Sequence, residues 1–297
     1  MHIPVIRRTV VLGNFDGVHL GHRALINRAR ENGGVVMAYT FRSLPGVSGY
    51  LTDTLEKREL LFDAGADRVF EETFARVRDY SPERFVDQVL LSEMRATDLV
   101  CGFNFRFGKG GAGDAALLSS LAAERDIGIS VVGAVLSDGE PVSSTRIRAL
   151  LAEGKPEAAE KLLGRPYSFT LPVLHGKALG RTLGFPTANQ TFPAGRLVPK
   201  TGVYASFAEV DGEILPALTN IGVRPTFENV SVPNAETHIL GGWTGDLYDK
   251  KLRVGLLSFL REEKRFETAE ALTSEIEKNR EEALNAFAKA FPDKDHL

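Results

Sequence analysis

Hydrophobic positions recur along this chain with two different rhythms. In the first half, short unbroken apolar runs alternate with stretches of helical spacing. Val10 to Leu12 form one such run, of the kind shown by a strand buried on both faces of a parallel sheet. From Leu20 to Arg30 the spacing is helical, with Leu25, Ile26 and Ala29 on one side and Arg23, Arg28 and Arg30 on the other. Val35 to Phe41 predicts a second buried strand, and Leu55 to Ala64 a helix entered through Thr52 or Thr54 as its cap. A third strand is expected from Arg68 to Phe70, a helix from Pro82 to Ser92, and a fourth strand from Asp98 to Gly102. Leu117 to Arg125 and Ile129 to Val135 repeat helix and strand. Strands joined in succession by helices predict an α/β fold with a parallel sheet, helices on both faces, and ligands at the carboxyl ends of the strands.

The rhythm changes near residue 160. Gly154-Lys155-Pro156 ends one helix and starts a short second one through Leu163, after which Gly164-Arg165-Pro166 breaks the pattern. This places a first domain at 1–160 and a second at 161–297. Beyond the break the chain alternates in strand fashion, as in Val203 to Val210, the turn Asp211-Gly212, and Ile214 to Thr219. An antiparallel β-barrel follows from that texture. A closing helix is expected from about Thr268 to Phe287, with Leu272, Ile276, Ala283 and Phe287 against the barrel.

Composition narrows the class of protein. At 297 residues, and roughly 150 per domain, each half is long enough for its own core. The net charge is −3 and the basic residues are scattered, so there is no general attraction to nucleic acid or to an anionic membrane. No apolar run approaches the roughly 20 residues of a membrane helix. The one cysteine, Cys101, has no intrachain partner, and the N-terminus lacks the apolar core of a signal peptide. A cytoplasmic enzyme acting on small molecules is therefore expected; the oligomeric state is not fixed by any of these features.

The richest chemistry lies between the first strand and the first helix, in Gly13-Asn-Phe-Asp-Gly-Val-His-Leu-Gly-His22. Gly13, Asp16 and Gly17 break the apolar run where the helix begins, and Gly17 and Gly21 leave room for a close ligand. Unpaired N–H groups at a helix start favour an anion such as a phosphate. His19 and His22, three apart, share one face and can each donate a hydrogen bond to charge building on a phosphate. A metal-binding pair is the competing idea, but no Cys, third His or paired carboxylate lies close in sequence. Ordinary capping and packing would require neither both histidines nor three glycines.

This stretch resembles the His-x-Gly-His signature of nucleotidyltransferases, in the form found in bacterial bifunctional riboflavin kinase/FAD synthetases. The resemblance implies nucleotide binding by Gly13, Asp16 and Gly21, and a catalytic part for His19 and His22. The segment from Gly102 to Asp114 holds Gly108, Gly110 and Gly113 at the spacing of a dinucleotide fingerprint, yet it does not run straight from strand to helix, and no P-loop Gly-Lys-Ser/Thr follows. A mobile surface loop is the plain alternative. It resembles instead the family's glycine-rich second motif, with Asn104 where relatives carry Asp or Asn. Ser144, Thr145, Arg146 and Arg148 resemble the Ser-Ser-Thr-x-Ile-Arg motif; capping alone accounts for the hydroxyls, whereas two arginines beside a helix start suit the polyphosphate of ATP and the leaving pyrophosphate. One departure is plain: Thr40-Phe41 is followed by Arg42-Ser43-Leu44-Pro45 where the family usually has Pro-His-Pro, so any contact of that histidine is missing.

In the second half, His175 to Asn189 carries Gly176, Gly180 and Gly184 beside Lys177 and Arg181, which could cradle phosphates, although glycine-rich turns between barrel strands are the commoner reason for such a composition. Gly-Phe-Pro-Thr-Ala-Asn189 resembles the riboflavin kinase signature, joined by Asn220 to Phe227 and by Glu236-Thr-His-Ile239. The family implies that Gly176 and Arg181 contact nucleotide, that Thr187 and Asn189 hold Mg²⁺ through hard oxygens, and that Glu236 takes the proton of the riboflavin 5′-hydroxyl. Asp249 stands where the family usually has glycine. The implied function is bifunctional: riboflavin and ATP give FMN, and FMN with a second ATP gives FAD and pyrophosphate. Three others remain open on sequence: a kinase with a degenerate first domain, an adenylyl- or cytidylyltransferase whose barrel only binds ligand, and a flavin sensor without turnover.

Overall fold

The computed structural model describes residues 6–46, 48–175, 187–225, 231–241, 243, 245–264 and 266–293. The chain divides into two compact units, Met1–Ser144 and Thr145–Leu297. The helices Ser144–Ala152 and Pro156–Leu163 fall almost wholly in the second.

The first unit is built on strands β1 (Arg8–Leu12), β2 (Val35–Phe41), β3 (Arg68–Glu72), β4 (Asp98–Gly102) and β5 (Gly128–Val132), all parallel, in the order β3-β2-β1-β4-β5. The expected double burial of the first strand is met: Val10 and Leu12 enter one hydrophobic cluster and Val11 the other, because alternate side chains point to opposite faces. Helix α1 (Leu20–Glu31) packs Leu25, Ile26 and Ala29 as its spacing predicts. Helix α2 (Thr54–Asp63) differs from expectation at its start. Its cap is Asp53, in a reciprocal capping box with Glu56, and not Thr52 or Thr54. The Asp-x-x-Glu spacing favours that arrangement, since it satisfies two helix-terminal N–H groups at once, worth about 1 kcal/mol. The expected helix from Pro82 forms with one regular turn and then widens from Phe85 to Glu93, where Met94 N–H reaches back five residues to Val89. The next helix starts earlier than predicted, at Ala115, capped by Asp114, and β5 ends at Val132 rather than Val135.

The second unit is a six-stranded antiparallel sheet of β6 (Tyr167–Pro172), β7 (Ala188–Thr191), β8 (Gly202–Val210), β9 (Glu213–Pro225), β10 (Ser231–Ile239) and β11 (Lys251–Arg261), ordered β6-β11-β8-β9-β10-β7. The outermost strands are drawn back toward each other. Leu174 bridges Asn189, and the buried Gln190 side chain donates to the carbonyls of Leu171 and Leu252 at 2.8 Å each. The sheet thereby curls into a barrel. Asp211-Gly212 makes the predicted two-residue turn with both residues at positive φ (50° and 85°), the twist that suits a tight hairpin. The closing helix, Ala269–Ala290, is capped by Thr268. Ala283 and Phe287 pack on the sheet with Ala205, Phe207 and Leu218, whereas Leu272 and Ile276 border a cavity.

Candidate functional site

In the first unit the strand order reverses direction at β1, so the loops after β1 and β4 flank an opening at the carboxyl edge of the sheet. A cavity of about 470 Å³ lies there, lined by Gly13 and Asn14 after β1, Tyr39 and Phe41 on β2, Gly102 and Asn104 after β4, and His22 from α1. Phe85, Phe105 and Phe107 give it an aromatic wall, with Phe105 and Phe107 stacked at 5.7 Å. The segment Gly102 to Asp114 is a short antiparallel ribbon, Arg106–Phe107 against Gly113–Asp114, and its glycines 108, 110 and 111 border the same cavity.

The loop from Gly13 to Val18 is held under strain. Phe15 and Val18 have φ of 53° and 39°, which bulky side chains rarely adopt, and both are fully buried. Asp16 shows what holds them: its Oδ1 accepts from the N–H groups of Leu51 (2.9 Å) and Thr52 (3.2 Å), and Thr52 Oγ1 accepts from Gly17 N–H. Asp16 thus ties the loop to the approach to α2, and Thr52 takes part in that tie instead of capping the helix. Ser144 adds to it by donating to the Asp16 carbonyl at 2.8 Å. Gly13 is explained by Phe15, whose ring lies 3.0 Å from where a Cβ would stand.

His19 is the cap of α1. Its Nδ1 accepts from the His22 N–H at 3.3 Å, so the neutral ring carries its proton on Nε2. The two imidazoles stack at 3.7 Å with 15° between planes, and Phe15 meets His22 edge-on at 5.2 Å. A Cβ on Gly21 would stand 3.1 Å from the His19 ring, which is why glycine sits between the histidines. His22 Nδ1 is buried with no hydrogen-bond partner among the described residues. Burial, then the charge of His19, then that of Lys57 hold the His22 pKa well below its ordinary value, so the ring is neutral at pH 7. The altered turn after Phe41 is closed by Tyr50, whose phenol oxygen donates to the Leu44 carbonyl (2.8 Å) and accepts from its N–H (3.1 Å).

The structure therefore brings Gly13, His22 and Asn104 to one cavity, with His19 and Gly21 directly behind His22. Arg146 and Arg148 lie on the helix Ser144–Ala152 in the second unit, half-buried, with Thr145 exposed ahead of them.

The second unit has its own cavity, of about 330 Å³, between the outer face of β8–β10 and the first half of the closing helix. Glu236 sits directly opposite Asn220 on one neighbouring strand and Asn189 on the other, and directly opposed residues project to the same face. Thr187, Asn220, Glu236 and His238 line the cavity with Arg261, Glu263 and Lys264. Asn234 donates to Glu236 at 3.2 Å, and Asn220 to Glu263 at 2.9 Å. Asn189 is buried and donates to the Thr187 carbonyl at 3.3 Å, which turns its amide nitrogen toward Thr187. Gly176 and Arg181 lie outside the described residues. On the opposite face of the sheet Ser206, Thr219 and Thr237 form a buried hydroxyl chain (2.8 and 3.0 Å) that takes no part in the cavity. Arg261 is fixed by Asn279 at 2.9 Å and Glu275 at 3.2 Å, and Lys264 by Glu275 at 2.7 Å. No group of three or more His, Cys, Asp or Glu placed to hold a metal occurs among the described residues.

Two lining residues, Phe105 and Phe107, and the buried Lys57 behind the cavity wall carried no role in the sequence reading. Phe105 and Phe107 are two apart, a strand-like spacing that puts both rings on one side. Lys57 falls on the same helical face as Leu61 and Ala64, a sign of burial that charge alone conceals.

Residues 5–146 match the FAD synthetase family and residues 163–287 the riboflavin kinase family. The chain is similar to the bifunctional riboflavin kinase/FMN adenylyltransferases of Pseudomonas fluorescens (38% identity, 89% of this chain and 88% of the relative) and Listeria monocytogenes (33%, 96% and 94%). The Escherichia coli K12 enzyme of that description is 35% identical, over 95% and 94%. A solved structure described as a macrolide-efflux protein from Streptococcus pneumoniae superimposes with a TM-score of 0.82 at 26% identity over 94% of both chains. Among the described residues of this chain, no helix is long and apolar enough to cross a membrane.

Proposed function

Since the chain belongs to the bifunctional riboflavin kinase/FMN adenylyltransferase family, we propose that it makes both flavin cofactors in sequence. The second unit transfers the γ-phosphoryl group of ATP to the 5′-hydroxyl of riboflavin, giving FMN and ADP. The first transfers the AMP part of another ATP to FMN, giving FAD and pyrophosphate. The observation that carries this reading is that each matched segment contains its own cavity, with polar groups of the kind its reaction requires.

In the kinase unit, Glu236 accepts the proton of the riboflavin hydroxyl as its oxygen attacks the γ-phosphorus in line and the bond to ADP breaks. Arg261 and Lys264, both held by Glu275, are the cations that border the cavity and can meet the phosphates. The hydroxyl of Thr187, just before β7, the carboxamide of Asn189 on β7 and the carboxylate of Glu236 opposite it on β10 offer hard oxygen donors, and this donor set fits Mg²⁺. Thr187 and Asn189 would hold the ion, which neutralises phosphate charge when bound.

In the transferase unit a phosphate oxygen of FMN attacks the α-phosphorus of ATP, and the bond to pyrophosphate breaks. No protein nucleophile is required. Gly13 and Gly21 let backbone and ring come close, and His22 donates to the charge growing on the α-phosphate. Neutral in the free protein, His22 gains proton affinity when the polyphosphate arrives, since an opposite charge favours the charged form. Asn104 offers a carboxamide at the cavity mouth, and the aromatic wall suits a flat ring system. Arg146 and Arg148 are assigned to the polyphosphate on the motif alone. The small-molecule substrates, and a buried thiol at Cys101 whose pKa burial raises to about 11, suit a cytoplasmic enzyme that needs neither nucleic acid nor membrane.

Incubating the purified protein with riboflavin and MgATP and separating the flavins tests the whole reading. FMN followed by FAD is expected. FMN alone would remove the first unit's activity; unchanged riboflavin would remove the kinase, and supplied FMN with MgATP then tests the first unit by itself.

A further inference from the structure

The strained loop of the first unit rests on a buried charge. Lys57, on α2, is only 5% exposed. Its Nζ donates to the Phe41 carbonyl at 2.5 Å and to the Asn14 carbonyl at 3.4 Å. The Asn14 carbonyl also accepts from Thr40 Oγ1 at 2.8 Å. Asn14 and Phe41 both line the aromatic cavity, one just past the end of β1 and the other at the end of β2. One ammonium thus ties together two backbone carbonyls from the two strand ends that frame the site.

A capping or packing role would not call for lysine here. A buried ammonium costs several kcal/mol of desolvation, and a methionine or leucine would fill the same space without it. Thr52, Leu51 and Asp16 already fasten the other end of the loop. The part left for Lys57 is charge. We propose that Lys57 is a positioning residue for the nucleotidyl-transfer site, fixing the carbonyls of Asn14 and Phe41 beneath the phosphate-facing loop and placing a positive charge there.

The inference rests on the adenylyltransferase reading of the first unit. Its electrostatic neighbourhood is consistent. Burial lowers the Lys57 pKa from its ordinary value, while Asp16 on the loop and Glu71 on β3 oppose that shift by favouring the charged form. Lys57 in turn helps, with the stacked His19, to keep His22 neutral, while Arg78 and Arg106 are the other cations bordering the cavity. Removing the ammonium takes away one of the charges opposing protonation of His22 and leaves Asp16 less compensated, so both changes act in the same direction.

The test uses the full chain with Lys57→Met and Lys57→Gln, after wild-type protein has been shown to convert FMN and ATP into FAD. Glutamine keeps a donor within reach of a carbonyl but no charge, and serves if methionine prevents folding. Three quantities are read: FAD formation as kcat and KM, riboflavin phosphorylation as an internal control, and the titration of His22 by NMR of histidine-labelled protein. Expected are a kcat for FAD about 10- to 100-fold lower, the scale set by a misplacement of up to 1 Å, unchanged FMN formation, and a His22 pKa shifted upward. An FAD rate within twofold of wild type overturns the proposal. So does a slower rate with the His22 titration unmoved, because that leaves Lys57 a merely structural part. Failure of wild-type protein to make FAD would instead overturn the assignment of the first unit itself.

Discussion

The two candidate cavities are built on opposite architectures. In the first unit the candidate residues Gly13, Asp16, His19, Gly21 and His22 lie within ten consecutive positions, because one strand–loop–helix connection at the carboxyl edge of a parallel sheet delivers all of them. In the second, Thr187, Asn220, Glu236, Arg261 and Asn279 are spread along the chain and meet only through antiparallel register and the closing helix. A site made by one connection concentrates its strain locally, in Phe15 and Val18. A site made by register has its groups placed by ladders of backbone hydrogen bonds. Mutations should therefore divide cleanly: changes at the first site stop FAD, changes at the second stop FMN.

The largest effect is expected from Glu236→Gln. Glutamine preserves shape and can still pair with Asn234, but it is no base, so riboflavin phosphorylation should fall about 10²- to 10⁴-fold. Supplied FMN should still become FAD at the wild-type rate. Loss of both activities in a folded variant would break the division between the units.

His22→Ala should lower FAD formation about 10²- to 10³-fold, on the scale of a lost charge-stabilising donor, with kinase turnover unaltered. The same residue carries a pH signature. Its folded pKa is depressed below the unfolded value of about 6.5, so between the two the unfolded chain binds more protons than the folded one. Its contribution to stability is fully present above pH 6.5 and is lost as pH falls toward the folded pKa. Thermal unfolding should thus show the His22→Ala protein losing less stability than wild type between pH 7.5 and about 5.5; identical pH slopes would contradict the buried, neutral state of the ring.

A smaller change sharpens the local nature of the first site. Gly21→Ala puts a Cβ 3.1 Å from the His19 ring, so the stacked pair must give by a few tenths of an ångström. FAD formation should drop roughly three- to tenfold, well short of the 10²-fold that a full 1 Å error costs. An unchanged rate would show that the imidazole stack tolerates movement.

The smallest effect belongs to Asp249→Gly in the second unit. Asp249 adopts φ of 61°, a left-handed conformation that glycine takes without cost. Relief of that strain is offset by the greater freedom of an unfolded glycine, so stability should stay within about 1 kcal/mol of wild type and kinase turnover should not move. Its carboxylate lies 3.9 Å from His175 Nε2 with both groups exposed; a tenfold loss of FMN formation would give that pair a function that its exposure argues against.

Periodicity and short motifs were enough to predict the strands and helices, the Asp211-Gly212 hairpin and the packing face of α1, because each of these rests on residues close in sequence, and the alternation of the elements was enough to predict a parallel sheet followed by an antiparallel barrel. The same holds for the pairing of His19 with His22, which a single helical turn brings together. Thr52 marks where this legibility ends: its hydroxyl suits a helix cap, but Asp16, 36 residues away, draws it to the loop and leaves the cap to Asp53. The helical spacing of Lys57 with Leu61 puts it on the buried face, but only the ends of β1 and β2 supply the carbonyls that hold its charge there. The aromatic wall from Phe85, Phe105 and Phe107, and the grouping of Thr187 and Asn220 with Glu236, likewise depend on strand order and register. Sequence determined the elements and the adjacent chemistry, since local propensity and spacing act within a few residues. Tertiary structure alone decided which distant groups share a face and which charges are buried, since those depend on pairings between strands that no local pattern specifies.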